Sequence, residues 1–254
     1  MLLLDAFSST QLATIAAAYF VAALVKGLTG LGYSSTCLPI LTLAFGLKEA
    51  LPLVLIPSVA SNLVVMVSTP DFRASARRFW PMILSAAASV FVGLWVLTRL
   101  RSESAAAALG VVLMIYVAFA LTNARFRLTE ARARRFEPAI GAATGFVNGL
   151  TGSQVMPVIP YLLSLDLPRE RFVQASNQSF TLSSAAMFIG LGATGLMTAP
   201  VVAVSALGLV LVALGVRIGQ RISRLLAPQA FRTAVLIVLA ALGLGLILRA
   251  AGWL

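Results

Sequence analysis

VKGLTG, at residues 25–30, returns as VNGLTG at residues 147–152. Five of the six letters match, and the exception places Lys26 opposite Asn148. Glycine allows backbone conformations that other residues resist, so a motif with two glycines marks a special point in the path of the chain. Its recurrence in the second half of the sequence predicts a fold built from two related halves.

The composition around these motifs is that of a membrane protein. Hydrophobic residues make up 60% of the 254 residues and charged residues 11%, whereas a soluble domain carries about 25% charged residues. The mean hydropathy is +0.98. The sequence therefore predicts an all-α polytopic membrane protein. The net charge of +11 is explained by basic residues in cytoplasmic loops, so nucleic acid is not an expected partner.

Two pairs of short apolar segments flank the GLTG motifs: 11–26 with 33–46, and 139–148 with 153–165. A helix needs about 20 apolar residues to cross a bilayer. Arms this short, broken by glycine at matching places, predict re-entrant or broken-helix hairpins over 11–46 and 139–165. Longer apolar segments, predicted to span the membrane fully, lie at 50–69, 79–98, 104–122, 172–192, 197–216 and 229–249.

Each half therefore consists of one hairpin followed by three transmembrane helices. The first repeat covers 1–122, the second covers 139–254, and the basic segment 123–138 is predicted as a solvated cytoplasmic linker between them. Three crossings turn the second half upside down, so the predicted architecture is an inverted-topology repeat. This architecture is typical of secondary transporters, whose substrate site lies near the midplane where the repeats meet.

The loop charges predict the orientation. One side of the predicted topology holds the loops 70–78, 123–138, 166–171 and 217–228, which are rich in arginine. The basic residues of the other side are Lys48, Arg99, Arg101 and Arg249. Because basic loops stay in the cytoplasm, the Arg-rich side is predicted to be cytoplasmic and both termini outside. The N-terminal segment lacks the basic residues of a cleaved signal peptide, and a bacterial inner membrane is the expected location.

The hairpin tips carry the chemistry of the predicted site. Tyr33 is predicted to begin the second arm of the first hairpin, and Ser153 with Gln154 the second arm of the other. Helix N-termini present unpaired N–H groups and a partial positive charge, so two tips that meet would favour an anion. The predicted substrate-binding residues are Lys26, Gly27, Thr29, Gly30, Ser34, Ser35, Asn148, Gly149, Thr151, Gly152, Ser153, Gln154, Asn177 and Gln178.

Lys26 and the glycines each have two interpretations. An ionisable group inside a membrane is a functional candidate by default, so Lys26 is predicted to contact the anion directly or through water. Alternatively, its amine snorkels to the headgroups or pairs with a structural partner. The glycines of GLTG either let backbone approach a ligand or let helices pack closely, and close packing is the role expected for Gly141 and Gly145.

The spans that follow the hairpins contain unusual polar residues. The first half has Ser58, Ser61 and Asn62, and the second has QASNQS at 174–179. These residues line the pathway, the interpretation favoured for Asn177 and Gln178, or hydrogen-bond neighbouring helices. The sequence contains no histidine and shows no catalytic triad or metal cluster, so no enzyme, metal site or cofactor is predicted.

Two blocks resemble the TauE/SafE family of membrane transporters: AALVKGLTGLGYSSTCLPILTLAFGLKEAL at 22–51 and AIGAATGFVNGLTGSQVMPVIPYLLSLDLPRERF at 139–172. Each has the family's order of glycine break, proline-marked short helix, small loop and polar span, and the resemblance covers nearly the whole chain. It implies transport of a sulfur-containing anion such as sulfite, thiosulfate or an organosulfonate, with export assigned to several members and uptake to some. Many members have a longer glycine run after the break, where this chain has GLGYSS and GSQVM.

The expected function is a secondary transporter that exports sulfite or an organosulfonate across the inner membrane. An anion channel and an uptake permease for another small organic anion are the alternatives. The expected partners are the small anion and the lipid bilayer, with a homodimer left open.

Overall fold

The computed structural model describes residues 6–122, 127–223 and 228–253. Every regular element in these ranges is an α-helix. In chain order the helices are α1 (Ser9–Thr29), α2 (Tyr33–Phe45), α3 (Leu47–Val67), α4 (Phe72–Arg99), α5 (Ser102–Thr122), α6 (Glu130–Thr151), α7 (Val158–Leu163), α8 (Arg169–Ala193), α9 (Ala199–Leu207), α10 (Leu209–Ile222) and α11 (Pro228–Ala250).

Six helical segments in the described part are long and apolar enough to cross a membrane. They are α1, α3, α4, α5, the α9–α10 pair and most of α11, which confirms an all-α polytopic membrane protein. Five of them correspond to predicted spans. The remaining predicted span, 172–192, lies in α8, a continuous helix of 25 residues whose polar stretch at 174–179 lowers its hydropathy.

The first arms of the two hairpins are longer than predicted. α1 contains 21 residues and α6 contains 22, which corresponds to about 32 Å at about 1.5 Å per residue. The short arms predicted at 11–26 and 139–148 are therefore wrong in length, because both helices continue through GLTG. The second arms, α2 with 13 residues and α7 with 6, are short as predicted.

The predicted loop over 123–138 is also wrong where the structure describes it. α6 begins at Glu130, so residues 130–138 are helical, while 123–126 lie outside the described residues. Thr129 provides an extended N-cap and Glu130 an acidic first turn, and negative charge at this position stabilises a helix start.

The two halves have the same order of elements, and they exchange packing partners. α1 packs on α10, and its counterpart α6 packs on α4. α3 and α8 hold corresponding positions in the two halves, and so do α5 and α11. Within each of these two pairs the counterparts pack on each other. Exchanging the halves leaves this pattern unchanged. The pattern supports the inverted repeat, which itself stays a prediction.

Glycines set the closest contacts of the exchanged pairs. A Cβ atom added to Gly27 in α1 would lie 2.2 Å from the carbonyl oxygen of Val216 in α10. One added to Gly149 in α6 would lie 2.1 Å from the carbonyl oxygen of Val90 in α4. The first glycine of each GLTG motif therefore packs directly on the backbone of a neighbouring helix.

The same interfaces contain further glycines. Gly93 of α4 faces the backbone of α6, and Gly219 of α10 faces the backbone of α1. On the other side of the first contact, Gly141 and Gly145 of α6 face the backbone of α4. Small residues allow transmembrane helices to approach closely. The packing role predicted for Gly141 and Gly145 is confirmed.

Ion pairs bring three of the four Arg-rich loops together at one end of the molecule. Arg171 Nη2 lies 3.4 Å from Asp71 Oδ2, and Arg127 Nη2 lies 3.0 Å from Asp166 Oδ2. These pairs connect segments that the predicted topology placed on the same side. The assignment of that side to the cytoplasm stays a prediction.

Arg78 of α4 anchors the second hairpin at the same end. Its guanidinium pairs with Glu130 at 2.8 Å and with the buried Glu137, both in α6. The hydroxyl of Tyr161 in α7 donates to Glu137 Oε1 at 3.2 Å. A buried carboxylate thus joins α4, α6 and α7.

Candidate functional site

Both GLTG motifs form the C-terminal end of a helix. Gly30 and Gly152 adopt the left-handed conformation, with φ of +81° and +73°. Their N–H groups donate to the carbonyl oxygens of Lys26 at 2.7 Å and Asn148 at 2.6 Å. Glycine is favoured at this position because no Cβ atom opposes a positive φ. The repeated hexapeptide is therefore a helix-termination signal with the same geometry in both halves.

The threonines of the two motifs complete these helix ends. Thr29 Oγ1 donates to the carbonyl oxygen of Val25 at 2.9 Å, and Thr151 Oγ1 donates to that of Val147 at 2.7 Å. Each Oγ1 also accepts the N–H two residues further on, at 3.0 Å and 3.2 Å. These two predicted site residues use their hydroxyl groups within their own turns.

The second arms of the hairpins differ. α2 begins at Tyr33, as predicted, but α7 begins only at Val158. The prediction that Ser153 and Gln154 begin a helix is wrong. Pro157 disfavours a helical conformation at the residue before it, so the chain after Gly152 stays irregular. A helix N-terminus therefore lies at the tip of the first hairpin and not at that of the second.

The ammonium of Lys26 lies inside the protein. The residue is 1% exposed, and Nζ donates to Asn62 Oδ1 at 2.7 Å and to Asn177 Oδ1 at 2.5 Å. The amine therefore does not snorkel, because it is held between α3 and α8. None of the ion pairs among the described residues includes Lys26.

A small cavity lies beside Lys26. Its volume of about 10 Å³ has room for about one water molecule. It meets the start of α2, whose first N–H groups have no acceptor within the helix and whose N-cap, Gly32, has no side chain. Ser34 Oγ and Ser58 Oγ are 2.8 Å apart in its wall. The lining residues come from both halves and are Lys26, Gly32, Tyr33, Ser34, Ser35, Ser58, Asn62, Gln154, Val155 and Phe180.

The cavity is closer to the Arg-rich end than to the opposite end. Asn62 lies five residues before the end of α3 at Val67, and Asn177 lies eight residues after the start of α8 at Arg169. At about 1.5 Å per residue, these side chains lie about 8–12 Å from the helix ends. The side chain of Lys26 is thus held close to the Arg-rich end.

The structure brings together only part of the predicted site. The predicted residues that line the cavity or bond to the side chain of Lys26 are Lys26, Ser34, Ser35, Gln154 and Asn177. Gln178 lies elsewhere, because its Nε2 donates to the carbonyl oxygen of Phe72, the first residue of α4, at 2.8 Å. Asn148 is buried and its Nδ2 has no protein partner, but it does not line this cavity.

Asn62 and Ser58 were missing from the predicted site. Both are polar residues of a predicted span, but nothing in the sequence pairs Asn62 with Lys26 at a separation of 36 residues. The usable signal was their spacing, since positions four apart share one face of a helix. That face of α3 meets the cavity.

The sequence model of the family described as Sulfite exporter TauE/SafE matches residues 15–246. The chain belongs to the TauE/SafE family. No curated protein and no solved structure gives a significant match.

Membership of the TauE/SafE family confirms the resemblance of the two GLTG blocks. The family consists of membrane transporters of the sulfite-exporter type, and Lys26, Asn62 and Asn177 all lie within the matched residues. Among the residues that the structure describes, no group of three or more histidine, cysteine, aspartate or glutamate side chains could hold a metal ion.

Proposed function

We propose that the protein is a secondary transporter that exports a small sulfur-containing anion, with sulfite as the first candidate, and that the anion binds beside Lys26. The observation that carries the proposal is the buried side-chain nitrogen of Lys26, which is held by two amide oxygens and has no carboxylate partner among the described ion pairs. A buried charge without a counter-ion is costly. An anion in the cavity supplies the charge that the protein does not.

The surroundings of Lys26 also favour an anion. The N-terminus of α2 presents unpaired N–H groups and the positive end of the helix dipole. Ser34 and Ser58 add hydroxyl groups to the same wall. Sulfite has three oxygen acceptors, which match a cluster of donors around one positive charge.

The closed form of the site supports a carrier rather than a channel. The cavity has room for about one water molecule, so an oxyanion enters only when its walls separate. Towards the end opposite the Arg-rich loops, Leu38, Leu41 and Leu47 belong to a continuous hydrophobic cluster and are almost fully buried. Passage then requires alternating access, in which one half or bundle moves against the other.

The charge distribution favours export. If the Arg-rich end faces the cytoplasm, its loops raise the local concentration of anions next to the site. An inside-negative membrane potential contributes about 2.3 kcal/mol per charge per 100 mV, and this energy drives an anion outwards. Export of sulfite therefore needs no coupling ion.

The test is the thermal stability of the purified protein with sulfite, thiosulfate, sulfoacetate, taurine and sulfate. We expect at least one sulfur oxyanion to stabilise the wild type and not Lys26→Met, which keeps the apolar stem without the ammonium. The matched control is Lys48→Met. Lys48 lies in the first turn of α3, far from Asn62 near the other end of that helix, so this variant is expected to be stabilised by the anion as the wild type is. Equal stabilisation of Lys26→Met and the wild type removes Lys26 from the site.

Transport is measured in proteoliposomes loaded with labelled sulfite. A carrier gives saturable flux and counterflow. A conductance far above carrier rates contradicts alternating access and favours a channel.

A further inference from the structure

The two asparagines that hold Lys26 differ in their remaining amide groups. Asn177 uses both of its groups, because Nδ2 donates to the carbonyl oxygens of Val173 at 2.7 Å and Gly30 at 3.3 Å. Asn62 is 2% exposed, and its Nδ2 has no partner. A buried donor without an acceptor is costly, so it is expected to have a specific role.

Asn62 also lines the cavity, whereas Asn177 does not. Its Oδ1 accepts from Lys26, so the amide is fixed with its donor side free for another partner. Both asparagines thus accept a hydrogen bond from Lys26 through Oδ1. Of the two, only Asn62 keeps an unused donor, and only Asn62 lines the cavity.

The other polar groups around the cavity supply further donors. An ammonium has three protons, and two of those on Lys26 are used by the asparagines. Ser34 and Ser58 share one hydrogen bond, which leaves one of their two protons available. No carboxylate lines the cavity within the described part of the chain.

We propose that Asn62 binds the transported anion directly through Nδ2, and that the site takes oxyanions that only accept hydrogen bonds. Asn177 is the positioning residue, because its amide ties Lys26 to Gly30 and α8. This inference rests on the proposed function and names the ligand class of the same site. A zwitterionic aminosulfonate is rejected, because its ammonium would lie among donors and close to Lys26.

Gln154 is the remaining amide in the wall. Its Nε2 donates to Ser184 Oγ at 2.8 Å, and its Oε1 has no partner. A serine hydroxyl can donate as well as accept, so turning this amide over keeps the bond to Ser184 and presents a donor to the anion. Gln154 therefore adapts to a bound oxyanion without losing a hydrogen bond.

The first test measures sulfite affinity and the unfolding temperature without ligand in Asn62→Ala, Asn62→Asp and Asn177→Ala. We expect Asn62→Ala to bind sulfite about 10- to 100-fold more weakly, the range of one hydrogen bond to a charged group. Asn62→Asp is expected to lose more, because a carboxylate replaces the donor. Asn177→Ala is expected to lower the unfolding temperature more than Asn62→Ala does, because the Gly30 and Val173 carbonyl oxygens lose their partner.

The second test uses the wild type and does not depend on the folding of any variant. Ethanesulfonate and taurine differ by an ammonium group and are compared as competitors of sulfite. We expect ethanesulfonate to compete and taurine to be at least about tenfold weaker, a factor that corresponds to about 1.4 kcal/mol. Equal competition, or competition by neither, overturns the ligand class.

The outcomes separate this inference from the proposed function. If the wild type neither binds nor transports any sulfur oxyanion, the proposed function fails. The other case is that the wild type binds sulfite, Lys26→Met does not, and both Asn62 variants bind as the wild type does. The direct contact of Asn62 with the anion is then wrong, while the proposed function stands.

Discussion

Replacing Gly149 with alanine tests whether the contact between α4 and α6 requires a missing side chain. The added Cβ atom would lie 2.1 Å from Val90 O, 2.7 Å from Leu94 N and 2.9 Å from Gly93 Cα. All three are backbone atoms, so no side-chain rotation relieves the overlap. An ordinary contact begins at 3.4 Å, and the two helices must therefore separate by about 1 Å to reach van der Waals distances.

The expected loss of stability in Gly149→Ala depends on two opposing effects. Overpacking costs about 1–3 kcal/mol, with the upper end expected because backbone must move. Alanine recovers about 1 kcal/mol through its higher helix propensity. The net loss is then about 2 kcal/mol, which lowers the unfolding temperature by about 4–8 °C in a chain of this size.

The assay is thermal unfolding of the purified protein in detergent, with Gly192→Ala as the matched control. Gly192 lies in α8, and a Cβ atom added there meets nothing within 4 Å, so this variant is expected to be as stable as the wild type or more stable. Gly27→Ala, at the counterpart position, is expected to behave like Gly149→Ala. Equal stability of Gly149→Ala and Gly192→Ala would refute the role assigned to the glycine contact.

Three further predictions test the remaining features. Glu137→Gln removes the carboxylate of a buried ion pair and is expected to cost about 3–5 kcal/mol, whereas Glu103→Gln, in an exposed pair, costs about 0–1 kcal/mol; equal denaturation midpoints contradict this difference. Tyr19→Phe removes the nearer of two donors to the buried carbonyl oxygen of Leu53, the Tyr19 hydroxyl at 2.5 Å, and leaves the Ser205 hydroxyl at 3.3 Å. It is therefore expected to cost about 0.5–1.5 kcal/mol in the same assay. A membrane-impermeant maleimide is expected to label Glu103→Cys in intact cells and Arg73→Cys only after permeabilisation, with the buried Cys37 silent; the reverse pattern inverts the orientation.

The all-helical membrane fold and most of the helices could be predicted from the sequence, because hydropathy is a local property. The structural roles of the two glycines in GLTG could not be predicted. Gly27 looked like a break, but α1 continues through it because its missing Cβ lets the helix pack on Val216. The break comes at Gly30, where a left-handed residue ends the helix. Whether a glycine interrupts a helix or packs inside one depends on a partner far away in sequence.

The site was predictable in part for the same reason. Lys26 is visible in the sequence as a charge in an apolar segment, and α2 begins at Tyr33, as its position after the glycines suggested. The pairing of Lys26 with Asn62 arises from the packing of α1 against α3 and has no local signal. Gln178 belongs to the same polar stretch as Asn177 but bonds to the first residue of α4, because adjacent residues on a helix point in different directions.

The difference between Lys26 and Asn148 now has a structural context. The two residues accept the same bond from the glycine that ends their helices, so the halves agree in backbone geometry at this point. The halves differ in the next segment of the chain, because α2 starts at the tip of its hairpin and α7 starts only at Val158. Both positive elements, the ammonium and the helix N-terminus, thus come from the first half, while Gln154 and Asn177 of the second half are neutral. A symmetric pair of charged sites would place two anions close together in a low dielectric, where they repel strongly. Under the proposed function, restricting the positive elements to one half would give a fold with two related hairpins a single anion site.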